Sequence, residues 1–289
     1  MKKILLLSVL MFSATCMWAQ SYKPGIKLQK GQQYEVTTTV NGTMTQMGMD
    51  LPIESSMLSL VEVKDQSPNG YTLRTMNKHF TFKSNMAGEQ MNYDSDNKDD
   101  ADGPVGSMFK DVTGKPDSFM VDNKGYIKAS PEKPAVKKDG KKEDNIMGMM
   151  MSSAIGNSGS GTPMLNQLPL FKELKAGDHL TDSAENNDDG KQKIVTTYTV
   201  TEIKEGQVKI NIEAVAKIEK VMDVQQMGMN MSITMKSTNT SKGEMLIDQA
   251  TGLLISKKIV TDTDGNASVS GMELPITGTS TSEIKVKLL

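Results

Sequence analysis

Methionine is the residue whose number and spacing could do chemistry in this chain: there are 24 among 289 residues, with Met1, Met11 and Met17 in a leader-like start. Met227, Met229, Met231 and Met235, with Ile233 among them, recur at period two and so share one face of a strand; Met47 and Met49 continue through Leu51 and Ile53 in the same way. Thioethers are soft ligands that suit Cu(I), so sulfurs converging from two strands would make a copper site. No His or Cys stands near to strengthen it. A stripe that includes Ile and Leu reads more simply as adaptable apolar packing, or as a pliable surface for an apolar ligand. Met227, Met229, Met231, Ile233, Met235, Met47 and Met49 are therefore the candidate ligand contacts.

The other reactive types offer less. His79 falls on the face opposite Phe80 and Phe82 and is expected to meet solvent; His179 follows Gly177 and Asp178 in a turn. Neither has a partner at metal-ligand spacing or a nucleophile motif beside it. Asp94, Asp96, Asp99, Asp100 and Asp102 gather before Gly103. A calcium loop starting at Asp94 would put Lys98 in a ligand position and Asp99 where the sharp turn needs Gly, so a solvated loop is expected. Paired carboxylates for glycoside hydrolysis depend on three-dimensional spacing, and 6 Tyr, 6 Phe and 1 Trp are few for stacking sugars. The reading is of a non-enzymatic protein with no catalytic residues, no metal ligands and no cofactor.

Lys2 and Lys3, an apolar run over residues 4–12, and the small residues Ala14 and Ala19 read as a secretory signal peptide spanning 1–19. The run is shorter than the roughly 20 residues that cross a bilayer, and no transmembrane segment follows. The expected location is exported, periplasmic or secreted. Cys16, the one cysteine, admits a second reading as a lipidated lipoprotein cysteine, although Ser13 and Thr15 stand where such leaders usually carry Leu and a smaller residue. Cleavage after Ala19 leaves no cysteine, so a packed core rather than a disulfide must hold the fold. With 33 basic and 35 acidic residues the chain gives no electrostatic reason to bind nucleic acid or an anionic membrane surface.

The elements that must position these residues are strands. Val208, Ile210, Ile212, Ala214, Ala216 and Ile218 alternate with polar residues over eleven positions, about 36 Å of half-buried strand. Similar runs begin at Tyr34, Met57, Met76, Ile194 and Ile284, and one polar face per strand fits antiparallel pairing. Turn chemistry places hairpins at Asn41-Gly42, Asn69-Gly70, Asn123-Lys124-Gly125, Glu205-Gly206 and Asp264-Gly265. Short helices are expected near 105–112, 145–155, where Met147 and Met149 to Met151 would form an apolar face, and 163–175, broken by Pro169.

Residues 131–163, rich in Lys, then Met, then Gly and Ser, read as a linker between an N-terminal β half at 20–130 and a C-terminal β half at 164–289. An internal repeat supports the division: GMDLPIESSMLSLVEVK at 48–64 aligns without gaps to GMELPITGTSTSEIKVK at 271–287, and GMNMSI at 228–233 is a weaker copy. The fold class is mainly β: two related antiparallel β halves, as curved sheets or half-barrels, with a few short helices and a central linker.

KLQKGQQYEV at 27–36, LPLFKELKAGDHL at 168–180 and KGEMLIDQATGLLISKK at 242–258 together resemble an uncharacterised family of exported, β-rich envelope proteins of Gram-negative bacteria. His179 and Leu180 stand where the family pattern often has Trp. The resemblance implies a cell-envelope location and carries over no activity and no site residues. The last motif reads as a hairpin around Gln249-Ala250-Thr251-Gly252, also found in lipid-carrier folds whose open half-barrel encloses an acyl chain, a likeness of fold alone.

The expected function is to bind an apolar small molecule or lipid on a concave sheet lined by Met and aliphatic side chains. The alternatives are a structural or interaction module that meets another envelope protein, and a methionine-rich Cu(I)-binding protein.

Overall fold

The computed structural model describes residues 21–128 apart from 47, 87–88, 102, 104 and 110–111, then 164–165, 168, and 173–289 apart from 188–189, 227–228 and 270. The expected signal peptide at 1–19, the expected linker at 131–163 and the expected helix at 145–155 lie outside the described residues.

The described chain is nearly all antiparallel strand. The N-terminal half gives β1 (Ser21–Tyr22), β2 (Gln33–Gln46), β3 (Met49–Ser67), β4 (Gly70–Met86), β5 (Glu89–Asp94), the four-residue helices α1 (Lys98–Ala101) and α2 (Gly106–Phe109), β6 (Pro116–Val121) and β7 (Ile127–Lys128). The C-terminal half gives β8 (Leu174–Lys175), β9 (His179–Asn186), β10 (Lys191–Lys204), β11 (Gln207–Gln226), β12 (Met229–Asp248), β13 (Leu254–Val269) and β14 (Met272–Leu288). One sheet runs in the order β7-β6-β4-β3-β2-β14-β13-β12-β11-β10-β9, with β5 also on β4, while β1 and β8 form a separate pair. The two halves are thus one continuous sheet, joined by the β2–β14 ladder from Gln46–Ile276 to Tyr34–Leu288. The repeat is structural as well: β3 and β14 each follow a hairpin glycine with positive φ, Gly48 or Gly271, and each directs Leu-x-Ile (Leu51 and Ile53, Leu274 and Ile276) to the inner side.

Alternation is what makes these strands. In β11, Val208, Ile210 and Ile212 are buried while Asn211 and Glu213 are exposed, as one packed and one wetted face require. The sheet then curls, because its inner apolar surface can leave water only against itself or against a cover. Ile26 N–H donates to Asn123 O (2.9 Å) beside β6, and Lys27 N–H donates to Thr251 O (2.8 Å) beside β13. Those carbonyls flank strands five spacings apart, about 24 Å in a flat sheet, yet two consecutive amides reach both. Tyr126, after β6, also lies near enough to Tyr198 on β10 for one phenolate to oppose the other.

The cover is built from the 21–28 strap and from residues on the chain's return. Tyr22, Leu168 and Leu174 pack on β9 to β13, and Ile26, Leu28 and Met164 pack on β2, β3, β4 and β6; Ile284 and Val286 touch both clusters. This fills one end of the inner face. On the N-terminal side, Phe109 of α2 sits among Phe80, Phe82 and Tyr93, with ring centroids 5.0–5.2 Å away. The outer face carries Lys209–Glu244 (2.8 Å), Lys236–Glu219 (3.3 Å) and Lys193–Glu185 (2.7 Å) across neighbouring strands. A strand-built membrane span would instead need an apolar outer band about 25 Å tall. No described helix is long and apolar enough to cross a membrane.

Some expected turns and helices differ from the structure. Gly42 and Gly265 lie inside β2 and β13, not in turns. A Cβ on Gly265 would stand 2.2 Å from Lys236 O, so that glycine serves close strand approach in the curl. The described end of 163–175 is strand β8, because Leu174 pairs with Tyr22 under the sheet.

Candidate functional site

The inner face is organised as rows of cross-strand partners, whose side chains share a face. One row reads Val200, Ile210, Met245, Lys257, Ile284, Thr38, Met57, Phe80 from β10 round to β4. A single cation interrupts an otherwise largely apolar line. A β-bulge sets its direction. Ile247 pairs with Leu254 but Leu246 pairs with Ser256, so Ile255 is the extra residue, and beyond it Lys257, Ile259 and Thr261 face inward. Bulges commonly re-aim a side chain in this way.

Adjacent lysines therefore meet opposite surroundings. Lys258 is exposed on the outer face, with Glu244 on one side and Glu283 on the other. Lys257 has Met245 and Ile284 in those places, and its diagonal neighbours are Gly243, Ile247, Ser282 and Val286. None is acidic, and among the described residues the Lys257 amine has no hydrogen bond or ion pair. Burial alone pushes its amine below the ordinary lysine range, although the residue is not fully buried.

Beyond this row the inner face is lined by small or half-buried residues: Ala214 and Ala216 on β11, Ser241 and Gly243 on β12, Thr261 and Ile259 on β13. Tyr198, Ile259 and Ile284 touch the plug cluster without being sealed by it. Asn239, on the same face, buries an Oδ1 with no hydrogen-bond partner. The far end closes on Ile233, Ala267 and Ile276, with Met44, Met235, Val269 and Leu274 packed around them.

Three of the seven sequence-selected contacts, Ile233, Met235 and Met49, have described side chains. Ile233 is buried and Met235 packs beside it at the far end. Met49 is 43% exposed. Met229 and Met231 lie on β12 opposite Gln226 and Val224, but their side chains, together with Met47 and Met227, lie outside the described residues. Lys257 was missed because it sits in a motif read only as a hairpin. The available signal was two consecutive lysines in a half-buried strand, one of which must take the buried face.

A second constellation lies on the opposite side of β4. Thr81 pairs with Asp94, which brings His79 two residues away into reach: His79 Nε2 is 2.9 Å from Asp94 Oδ1 and 3.8 Å from Asp96 Oδ2. The three ligand atoms lie within 4.8 Å of one another, so His79 does have a partner at metal-ligand spacing. An imidazole with two carboxylates suits a borderline divalent ion such as zinc. The Asp96 N–H and then the His79 ring hold Asp94 below the usual carboxylate range. Asp99 and Asp100 do not form a calcium loop. Asn97 Oδ1 accepts from Asp99 N–H (3.1 Å), and Asp100 Oδ2 accepts from Asp94 N–H (2.9 Å), starting α1. An outer cavity of about 590 Å³ beside β9 to β13 is lined by charges of both signs, among them Glu185, Lys193, Lys217, Glu219, Lys236 and Asp264.

The protein is thus an open, curled antiparallel sheet with a plugged inner face. It belongs to DUF6263, a family of unknown function, whose model matches residues 68–130 and 135–254, more than half of the chain. No curated protein sequence matches it. Among solved structures, the COG4313 outer membrane channel from Pseudomonas putida F1 is similar at 7% identity over 91% of this chain and 97% of that one, with a TM-score of 0.24. The beta domain of the Bordetella autotransporter BrkA gives 8% identity over 89% and 99%, with a TM-score of 0.23. A putative AttH from Nitrosomonas europaea gives 6% over 86% and 92%, with a TM-score of 0.17. Scores this low carry no argument about function.

Proposed function

We propose that this is an exported, non-catalytic binding protein of the cell envelope that holds a small apolar ligand on the inner face of its curled sheet. The observation that carries the reading is the incomplete closure of that face. The plug seals Val200, Val208, Ile210 and Ile247, but Tyr198, Ile259, Ala214 and Ala216 beside them stay half-buried, and partly accessible apolar surface with a few polar groups beside it is the kind of lining a ligand site uses. Export follows from the leader at 1–19.

The test uses the purified full protein and Nile red, a neutral apolar probe. Ala214→Trp fills the inner face, whereas Val215→Trp adds the same ring to the outer face, where Val215 is 41% exposed. The reading expects probe fluorescence to fall with the first substitution and to persist with the second. Equal binding by both variants overturns it, and capture of an envelope protein without probe binding would favour an interaction module.

A further inference from the structure

We propose that the ligand of this inner face is a single-chain anionic amphiphile, an acyl chain ending in a carboxylate or phosphate, whose head group pairs with the Lys257 amine. The inference rests on the inner-face reading above and adds the chemical class.

Three observations converge on it. First, Lys257 stands between Met245 and Ile284 with no acid among its cross-strand or diagonal neighbours, whereas Lys258 next to it faces Glu244 and Glu283. The outer lysine is exposed to solvent between two carboxylate-bearing positions, whereas the inner one stands among apolar and small residues. A buried cation without a partner is costly, and an anion arriving from solution removes that cost. Second, the surroundings of the amine are apolar but not sealed: Ile259 and Ile284 are half-buried beside it, so a head group at Lys257 has a tail path next to it. Third, small side chains line most of that path, with Ile212 and Ile259 flanking it at Gly243. From Met245 back to Asn239 the inner positions of β12 are Gly243 and Ser241, and β11 supplies Ala214 and Ala216 alongside. Six residues of strand span about 20 Å, a length comparable to an extended acyl chain. A neutral ligand would leave the cation unpaired. A free polar anion would leave the apolar rows unused. An amphiphile satisfies both.

Isothermal titration of the lipid-stripped full protein with palmitate, lysophosphatidate and the neutral hexadecanol, all below micellar concentrations, tests this in wild type, Lys257→Met and Lys257→Arg. Lys257→Met is expected to weaken both anions about tenfold or more, as loss of a charge-assisted contact should, while hexadecanol changes little and Lys257→Arg retains anion binding. The tighter of the two anions in wild type identifies the head group. Lys257→Met removes a buried charge, so a melting temperature at or above wild type checks that it folds. If Lys257→Met binds both anions as wild type does while hexadecanol also binds, the head-group assignment is overturned and the apolar site stands. If none of the three binds wild type, both fall together.

Discussion

Lys257 on β13 and Met245 on β12 are direct cross-strand partners on the inner face, the amine set against a thioether instead of a carboxylate. The pair has a consequence for stability. Burial lowers the Lys257 pKa in the fold, so between that value and the unfolded value of about 10.4 the unfolded chain binds the proton that the folded one has released. This contribution is fully present above about pH 10.4 and is lost as pH falls through the folded pKa. Lys257→Met is expected to raise stability at neutral pH by about 1–3 kcal/mol and to flatten that dependence. Denaturant unfolding at several pH values, wild type against variant, measures both. Equal slopes would refute the burial of an unpaired amine.

Tyr22 acts in the opposite sense at alkaline pH. Burial first, then the Asp248 carboxylate, pushes its phenol up to about 12. Its contribution to stability is complete below the ordinary value of about 10 and is lost as pH rises through the folded value. Asp248→Asn should lower the Tyr22 pKa only in part, since burial remains. Tyrosinate absorbance read against pH tests this, and a Tyr22 that titrates at its ordinary value in folded wild type contradicts it.

Gly252 fixes the strap to the sheet. Its φ is +73°, and a Cβ there would lie 1.7 Å from Gly25 O. Gly252→Ala should cost more than the roughly 1 kcal/mol of a positive φ alone, because the strap must move. The Lys27 amide, which donates to Thr251 O at 2.8 Å, should exchange with deuterium much faster in the variant. Unchanged exchange would show that the strap is held elsewhere.

On the outer side of β4, His79→Ala should raise the Asp94 pKa part of the way back to its ordinary value, because the larger cause, the Asp96 N–H, remains. A carboxyl-carbon NMR titration follows it directly. No shift would mean that the 2.9 Å contact is not held in solution.

The sequence by itself determined that the chain is built of long antiparallel strands, since period-two alternation such as Val208 to Ile218 has only one stable solution, one face packed and one wet. It also marked the hairpin at Glu205-Gly206, where φ of +54° and +75° bears out the turn chemistry, and placed the one at Asn69-Gly70 a residue late, since the loop is Pro68-Asn69 and Gly70 already pairs with Ser67. It misplaced turns at Gly42 and Gly265, because a glycine needed for close strand approach carries the same letter as one needed for a reversal. Only the tertiary structure decided which surface closes on itself. Curling brings Asn123 and Thr251 to consecutive amides of the strap, a long-range effect with no local signature. Register decided the rest: one bulged residue, Ile255, fixes which of Lys257 and Lys258 faces inward, and a hairpin pairing brings His79 to an aspartate fifteen positions away. Spacing along a chain sets the face of a strand, but only pairing sets what that face meets.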